Sequence, residues 1–210
     1  MPKLGMQPIR RLALVKATID EIGSRGSLDV TVAQIAARAG MSPALAHHYF
    51  GGKDDMFLAA MRHTLTVYGA EVRGALSMAD GPRARVQAVI RAGFGPANFR
   101  PEVVAAWLNF WVLARTNPGA ARLLAVYQGR LRSNLLHGLR PLAGVRADAT
   151  AERIGALIDG IYLREGLRGG HRHGHGKTRR ADGQQAVAHV LAALDHELAA
   201  GPEIAAQVAK

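Results

Sequence analysis

The 210-residue sequence contains no cysteine. Disulfides, thiolate metal sites and cysteine nucleophiles are therefore excluded. Aromatic residues make up only 5% of the chain, and strictly alternating runs of β-branched or aromatic residues are missing. No uninterrupted apolar stretch approaches the roughly 18 residues that a membrane span needs. The basic start of the chain is not followed by an apolar segment, so we expect no secretory signal and a cytoplasmic location.

Acidic residues are scarce relative to basic ones. The chain has 16 aspartates and glutamates against 27 lysines and arginines, which gives a formal net charge of +11. Such an excess favours a polyanionic partner. Anionic lipid would also satisfy it, but the sequence lacks the basic amphipathic helix, rich in tryptophan and phenylalanine, of a membrane-surface binder. Nucleic acid is therefore the favoured partner, and no membrane is expected.

Strong helix formers dominate what is present, chiefly alanine, leucine and arginine. With 49% hydrophobic residues the chain can bury a packed interior, so the predicted fold class is all-α. Apolar spacing and breaks predict helices over residues 8–24, 31–40, 43–48, 53–77, 83–95, 101–115, 117–139, 149–168 and 183–200. The breaks between the later helices are predicted at Pro96, at 117–119 and at Pro141.

The first helix is predicted from the recurrence of apolar residues at steps of three and four. Its core-facing stripe consists of Ile9, Leu12, Val15, Ile19 and Ile22. Pro8 suits a first helical position, where its missing N–H costs nothing. Gly23 and Gly26 are predicted to end this helix.

The sharpest local signal follows that helix. Thr31 and Gln34 have the spacing of a capping box, and Val30 and Ile35 have that of a hydrophobic staple around it. Gly40 suits the left-handed position that ends a helix. The sequence therefore predicts a short helix that begins at Thr31 and ends at Gly40.

A second short helix is predicted from Pro43 to His48, with Ser42 as its N-cap. Helix, glycine-containing turn and helix in this order are typical of a helix-turn-helix that reads DNA. Residues 1–53 also carry seven basic and three acidic residues, a net charge of +4. The alternative is a helical hairpin that merely packs against its neighbours.

Side chains suited to phosphate oxygens surround this motif. Thr31 and Ser42 offer hydroxyls and free helix N-termini, and His47, Tyr49 and Lys53 add donors just downstream. We predict a three-helix DNA-binding domain over residues 1–53 and a larger helical ligand-binding and dimerisation domain over residues 54–210. The boundary is expected within the helix that begins at Lys53.

Residues 8–58, with the core IAARAGMSPALAHHYFGGKDDMF, resemble the TetR family of one-component repressors. The resemblance implies phosphate contacts by Thr31, Ser42, His47, Tyr49 and Lys53. It implies that Pro43, Ala44, Leu45 and His48 face bases or their methyl groups. His47 stands where the family commonly has tyrosine, and Pro43 replaces a frequent polar residue, so base preference does not transfer. Phe50 and Ile35 are expected in the core, and Leu45 either there or on a thymine methyl group.

A closer resemblance covers roughly residues 1–167. The segments MPKLGMQPIRR, VVAAWLNFWVLARTNP, RLRSNLL and LIDGIYLR are similar to the BetI-type repressors of glycine betaine synthesis. This resemblance implies repression of choline uptake and oxidation genes and release from the operator by choline. It also implies a homodimer formed through the last two helices and an operator of double-stranded DNA with an inverted repeat.

A choline sensor needs aromatic faces and a carboxylate, because a quaternary ammonium group has no hydrogen-bond donor. Both tryptophans of the chain lie four residues apart on one predicted helix, and an aspartate and a tyrosine lie three apart on a later one. The candidate ligand-binding residues are Trp107, Phe110, Trp111, Asp159 and Tyr162. Aromatic residues at this spacing are also typical of an ordinary helical core, and Asp159 has a cap or an ion pair with Arg153 as alternatives.

Three further interpretations concern other chemistry. His171, His173 and His175 alternate in a glycine- and arginine-rich stretch, where a solvated loop is favoured over a metal site. A repressor of an efflux or other operon that senses an apolar compound remains an alternative, as does a metal sensor. An enzyme is disfavoured, since no phosphate loop, nucleophile elbow or facing carboxylate pair is present. We therefore predict no catalytic residue, no cofactor and no resident metal.

Overall fold

The computed structural model describes residues 5–169 and 182–199, and these ranges contain α-helices and no strand. The predicted all-α class is confirmed. Within the described ranges the helices are α1 (Met6–Arg25), α2 (Val32–Arg38), α3 (Pro43–Phe50), α4 (Lys53–Ser77), α5 (Gly81–Gly93), α6 (Pro101–Leu113), α7 (Pro118–Ala143), α8 (Ala147–Gly169) and α9 (Gly183–Ala199). None of them is long and apolar enough to cross a membrane.

The predicted helices agree closely with the observed ones, with one wrong break. Pro141 lies inside α7, which continues to Ala143 before a short 3₁₀ turn. A proline in the last helical turn removes a single backbone hydrogen bond, and the helix ends two residues later. The proline therefore marks the approach of the helix end, whereas the prediction had placed the end before it.

Helix α1 corrects two further predictions. Gly26 does end it, in a left-handed conformation with its N–H on the carbonyl of Ile22 at 2.8 Å. Gly23 instead lies within the helix, and a Cβ added there would lie 2.5 Å from the Cα of Glu102 on α6. This glycine allows α1 and α6 to approach closely.

The predicted apolar stripe of α1 is wrong at its N-terminal end. Ile9 is 62% exposed and Leu12 is 42% exposed, whereas burial begins at Leu14 and includes Val15 and Ile22. A periodic pattern identifies which face is apolar but carries no information on where along that face the neighbouring helices begin.

The described residues divide into two compact units. The first takes its described residues from 1–67, 100–126 and 162–181 and contains α1, α2, α3 and α6. The second takes them from 68–99, 127–161 and 182–210 and contains α5 and α9. Helices α4, α7 and α8 contribute residues to both. The division of the chain after Lys53 into a DNA-binding and a regulatory domain stays a prediction.

Ion pairs hold α9 within the second unit. Arg153 binds the carboxylate of Glu197, with its Nε 2.6 Å from Oε1, and Arg146 donates to the Glu197 carbonyl at 2.8 Å. Arg83 pairs with Asp195, two residues earlier on α9. The alternative of an Asp159–Arg153 pair is therefore wrong, because Arg153 is engaged by Glu197. The hydrogen bond from Arg153 holds the pKa of Glu197 below its usual value.

Candidate functional site

Local hydrogen bonds fix the two short helices as their sequence predicts. The Thr31 hydroxyl accepts the N–H of Gln34 at 3.2 Å, and the Gln34 side-chain oxygen accepts the N–H of Thr31 at 2.8 Å. The Ser42 hydroxyl accepts the N–H of Leu45 at 3.2 Å. Gly40 has φ +67°, which places the turn between α2 and α3 at the predicted residue. The helix-turn-helix and both of its caps are confirmed.

Helix α3 has one buried and one exposed side. Ala46 and Phe50 are buried against the unit, and Ile35 of α2 is fully buried. The core positions predicted for Phe50 and Ile35 are thus confirmed. The predicted DNA-facing residues that are exposed are Thr31, Ser42, Pro43, Ala44, His47 and His48, while Leu45, Tyr49 and Lys53 are half-buried. Side chains of suitable chemistry therefore line the exposed side.

Arg11 braces the end of α3, a role that sequence reasoning missed. Its guanidinium donates to the carbonyl of Tyr49 and lies 4.3 Å from the centre of the Phe50 ring. Beside this contact, the Nδ1 of His47 donates to the carbonyl of Gly51 at 2.8 Å. From the sequence, Arg11 is only one of several basic residues in this stretch. Its contact with Tyr49 cannot be read from local spacing, because the two residues are 38 positions apart. The orientation of α3 thus depends on α1.

Lys53 is tied back to the fold at the beginning of α4. Its ammonium donates to the carbonyl of Leu28 at 3.4 Å and lies 5.6 Å from the centre of the Phe57 ring. These contacts fix the start of α4 and hold the positive charge close to the helix-turn-helix.

A buried carboxylate engages two of the basic residues counted in the N-terminal stretch. Glu21 of α1 accepts hydrogen bonds from Arg25 at 3.0 Å and from Arg38 of α2 at 2.5 Å. The two guanidinium groups hold the pKa of Glu21 below its usual value despite its burial. Arg38 also donates to the Ser24 hydroxyl. This network fastens α2 to α1.

Three of the predicted ligand-binding residues come together on α6. The Trp107 and Trp111 rings are 6.2 Å apart and tilted by 43°, and the Phe110 ring meets Trp107 edge-on at 6.4 Å. Trp107 and Phe110 are buried and Trp111 is half-buried. All three belong to the first unit, as does the buried Tyr162.

Asp159 belongs to the second unit and has different neighbours. It lies on α8 one turn before Tyr162, and its Oδ1 accepts the hydroxyl of Tyr127 on α7 at 3.2 Å. Burial raises the pKa of Asp159 to about 6, and the hydrogen bond from Tyr127 opposes that rise.

Tyr68 of α4 completes this group, with its ring 5.7 Å from that of Tyr127 at an angle of 62°. Burial, and secondarily the charge of Asp159, raise the pKa of Tyr68 above its usual value. Neither Tyr68 nor Tyr127 was among the candidate ligand-binding residues predicted from the sequence. Local spacing could not have found this group, because its members lie on three different helices and share only their aromatic or acidic side chains.

The histidine-rich stretch contains the three alternating histidines that were weighed as a metal site. His171, His173 and His175 lie outside the described residues. Within residues 5–169 and 182–199, no group of three or more histidines and acidic residues is arranged to hold a metal ion.

Comparisons with known proteins assign the chain to a family. Residues 14–60 match the model of bacterial regulatory proteins of the tetR family, and residues 82–199 match that of the BetI-type transcriptional repressor, C-terminal. The chain belongs to the TetR family. It is a DNA-binding transcriptional regulator of BetI type and is not an enzyme, so both predictions are confirmed.

One relative by sequence and two solved structures are similar to this chain. The HTH-type transcriptional regulator BetI of Brucella suis biovar 1 (strain 1330) is 52% identical over 168 residues, which cover 80% of this chain and 85% of the relative. A transcriptional regulator from Pseudomonas aeruginosa PAO1 superimposes with a TM-score of 0.73 at 28% identity, over 91% of each chain. A regulator from Saccharomonospora viridis, solved in complex with choline, gives a TM-score of 0.70 at 21% identity, over 89% of this chain and 95% of that one. TetR-family regulators bind operator DNA, dimerise and take small-molecule ligands.

Proposed function

We propose that this chain represses genes of choline uptake and glycine betaine synthesis and that choline releases it from its operator. The observation that carries the proposal is the BetI-type match over residues 82–199, together with 52% identity to a BetI regulator. The choline found with the Saccharomonospora viridis regulator is consistent with it, as a ligand of the same fold.

Operator reading is assigned to the exposed side of α3 and to the residues around it. Pro43, Ala44, Leu45 and His48 face base edges or thymine methyl groups, which suits their size and exposure. The phosphate contacts come from Thr31, Ser42, His47, Tyr49 and Lys53. The hydroxyl caps leave the N–H groups of two helix N-termini close to the DNA backbone.

The operator is an inverted repeat because the repressor acts as a homodimer. Helices α8 and α9 pair with their copies about a two-fold axis. Two reading helices related by that axis enter successive major grooves one helical turn apart. The half-sites must then have opposite orientation.

Release requires choline to bind the form with the non-DNA spacing more tightly than the DNA-bound form. Helix α4 carries this difference, since it begins at Lys53 beside the reading helix and continues to Tyr68 and beyond. A continuous helix transmits a displacement along its length without a flexible joint.

A second candidate inducer is an apolar compound, as for a repressor of an efflux or other operon. The aromatic contacts among Trp107, Phe110 and Trp111 favour it, since stacked rings suit an apolar surface. The regulator would then bind DNA in the same way and differ only in the signal that releases it.

The test is fluorescence anisotropy of the purified protein on labelled DNA from upstream of its own gene, titrated with choline and with NaCl. We expect tight binding that weakens with salt, because phosphate contacts dominate, and that choline weakens further. Glycerol at the same concentration serves as the neutral control. Binding that choline leaves unchanged would remove the choline assignment and retain the DNA-binding one.

A further inference from the structure

Three side chains from three helices, two phenols and one carboxylate, come together within the second unit. Tyr68 of α4, Tyr127 of α7 and Asp159 of α8 form what we call the tyrosine–aspartate cluster, which lies entirely within the second unit. The hydroxyl of Tyr127 is 3.2 Å from Oδ1 of Asp159, and the two phenol rings stand 5.7 Å apart at 62°. The two rings therefore pack edge-to-face, and the carboxylate lies at the hydroxyl of one of them.

Asp159 differs from Glu21 and Glu197 in lacking a basic partner among the described residues. Glu21 is bound by Arg25 and Arg38, and Glu197 by Arg153. In the described part of the chain no lysine, arginine or histidine forms an ion pair with Asp159, although basic residues exceed acidic ones by 27 to 16 over the whole sequence. A partly buried carboxylate is unfavourable without a compensating cation. Among the described residues this charge has no cationic partner, and a positively charged ligand would supply one.

We propose that the tyrosine–aspartate cluster, and not the Trp107–Trp111 pair, holds the trimethylammonium group of the inducer. Asp159 supplies the counter-charge, and the faces of Tyr68 and Tyr127 contact the methyl groups. Tyr127 is in addition a positioning residue, because its hydroxyl engages one carboxylate oxygen and fixes the orientation of the other. The identity of the ligand as an onium cation rests on the proposed function.

The chemistry of this cluster suits an onium ion better than an ammonium ion. A quaternary nitrogen donates no hydrogen bond, so the site needs charge and polarisable faces and no directed acceptor. The donor on Asp159 is already provided by Tyr127. A site of this kind distinguishes choline from a neutral molecule of the same shape by charge alone.

The test compares choline with its neutral isostere 3,3-dimethylbutan-1-ol by isothermal titration calorimetry on the full-length protein. We expect the wild type to prefer choline by at least about tenfold, since a carboxylate and two ring faces together contribute more than about 1.4 kcal/mol. Asp159→Asn should abolish that preference and leave the affinity for the isostere within about twofold. Tyr127→Phe, which keeps the ring and removes the hydroxyl, should reduce the preference partly.

Asp148→Asn is the matched control, because it makes the same substitution on the same helix at an exposed ion pair with Arg132. It should leave both affinities unchanged. Unaltered choline preference in Asp159→Asn and Tyr127→Phe, or loss of preference in Trp111→Leu alone, overturns the cluster assignment. Retained affinity for the isostere shows that a variant has kept its folded site.

Failure of the proposed function gives a different pattern. Wild-type binding of tetramethylammonium that Asp159→Asn abolishes, without any effect of choline on operator binding, supports the cluster and contradicts the choline-responsive role. Choline release of DNA that is normal in Asp159→Asn supports that role and contradicts the cluster. Binding of neither cation by the wild type contradicts both.

Discussion

The pKa values of Glu21, Glu197 and Asp159 are shifted in opposite directions, although burial by itself raises all three. The guanidinium groups beside Glu21 and Glu197 lower the pKa of those carboxyls, since each is held by hydrogen-bonded arginines. Within the described residues Asp159 accepts a hydrogen bond from a phenol hydroxyl and has no ion pair, and burial raises its pKa to about 6. A neutral donor stabilises a carboxylate less than a charged one does. The arginine hydrogen bonds outweigh burial at Glu21 and Glu197, whereas burial outweighs the phenol hydrogen bond at Asp159.

The affinity for choline is expected to fall as the pH drops through about 6. The bound cation requires the ionised form of Asp159, which is the minor form below a pKa of about 6. The neighbouring Tyr68 stays neutral throughout this range, because its pKa is raised above the usual value. Calorimetry near pH 6 in two buffers of different ionisation enthalpy should reveal proton release on binding. A pH-independent affinity between about 5 and 7.5 contradicts this prediction, and Asp159→Asn is the control that should show none of the dependence.

The raised pKa of Asp159 also makes the stability of the ligand-free protein depend on pH. A carboxyl whose pKa is raised in the folded state binds its proton more readily there than in the unfolded chain. Asp159 therefore opposes folding above about pH 6, and this effect diminishes as the pH falls from there towards the usual pKa of an aspartate. Glu21 and Glu197 act in the other direction, because their lowered pKa contributes stability that is lost on acidification.

At the scale of the helices, glycines determine which elements approach one another. A Cβ at Gly23 would meet the backbone of Glu102, and one at Gly138 of α7 would lie 2.6 Å from Cγ2 of Val86 on α5. Neither glycine has a positive φ, so their backbone conformations are open to any residue. Glycine is needed at these positions because a side chain would not fit between the two helices, and not because the backbone conformation demands it.

Gly23→Ala is expected to lower the free energy of unfolding by about 1–3 kcal/mol, because the new Cβ overlaps a backbone that must shift. Gly74→Ala is the matched control, a helical glycine with nothing within 4 Å of its added Cβ. That change should stabilise the protein by about 0.5–1 kcal/mol, as alanine favours a helix more than glycine does. Urea unfolding followed by circular dichroism measures both, and equal effects of the two substitutions would contradict a close α1–α6 approach.

What the sequence predicts about these elements depends on how local the interaction is. The caps at Thr31 and Ser42 involve residues three apart, so their spacing identified them correctly. Gly23 was misread as a helix end, since its partner Glu102 lies on a distant helix. Arg11 was likewise missed as a brace for α3. The candidate ligand residues Trp107 and Trp111 came from one helix, whereas the tyrosine–aspartate cluster needs three helices and emerges only from the fold.

At the scale of the whole molecule, some basic side chains pair with carboxylates of the chain and others are left to face DNA. The chain has a net charge of +11, and the N-terminal 53 residues contribute +4. Arginines bound to carboxylates are spread over both units, for example Arg38 on Glu21 and Arg153 on Glu197. The attraction of the protein to DNA therefore depends on which basic groups remain free to face phosphates.

The ion pairs of Glu21 with Arg25 and Arg38 limit how many counterions the repressor displaces from its operator. Each phosphate neutralised by a basic side chain releases about 0.9 of a condensed monovalent cation, which sets the slope of log K against log salt concentration. Glu21→Gln should steepen this slope more than Asp29→Asn does, although both remove one negative charge from the same stretch, because only the first frees two arginines. Anisotropy measured from low to moderate salt gives both slopes, and identical values would mean that neither arginine reaches the DNA. An internal carboxylate would thus set how far a change in cellular ionic strength shifts operator occupancy.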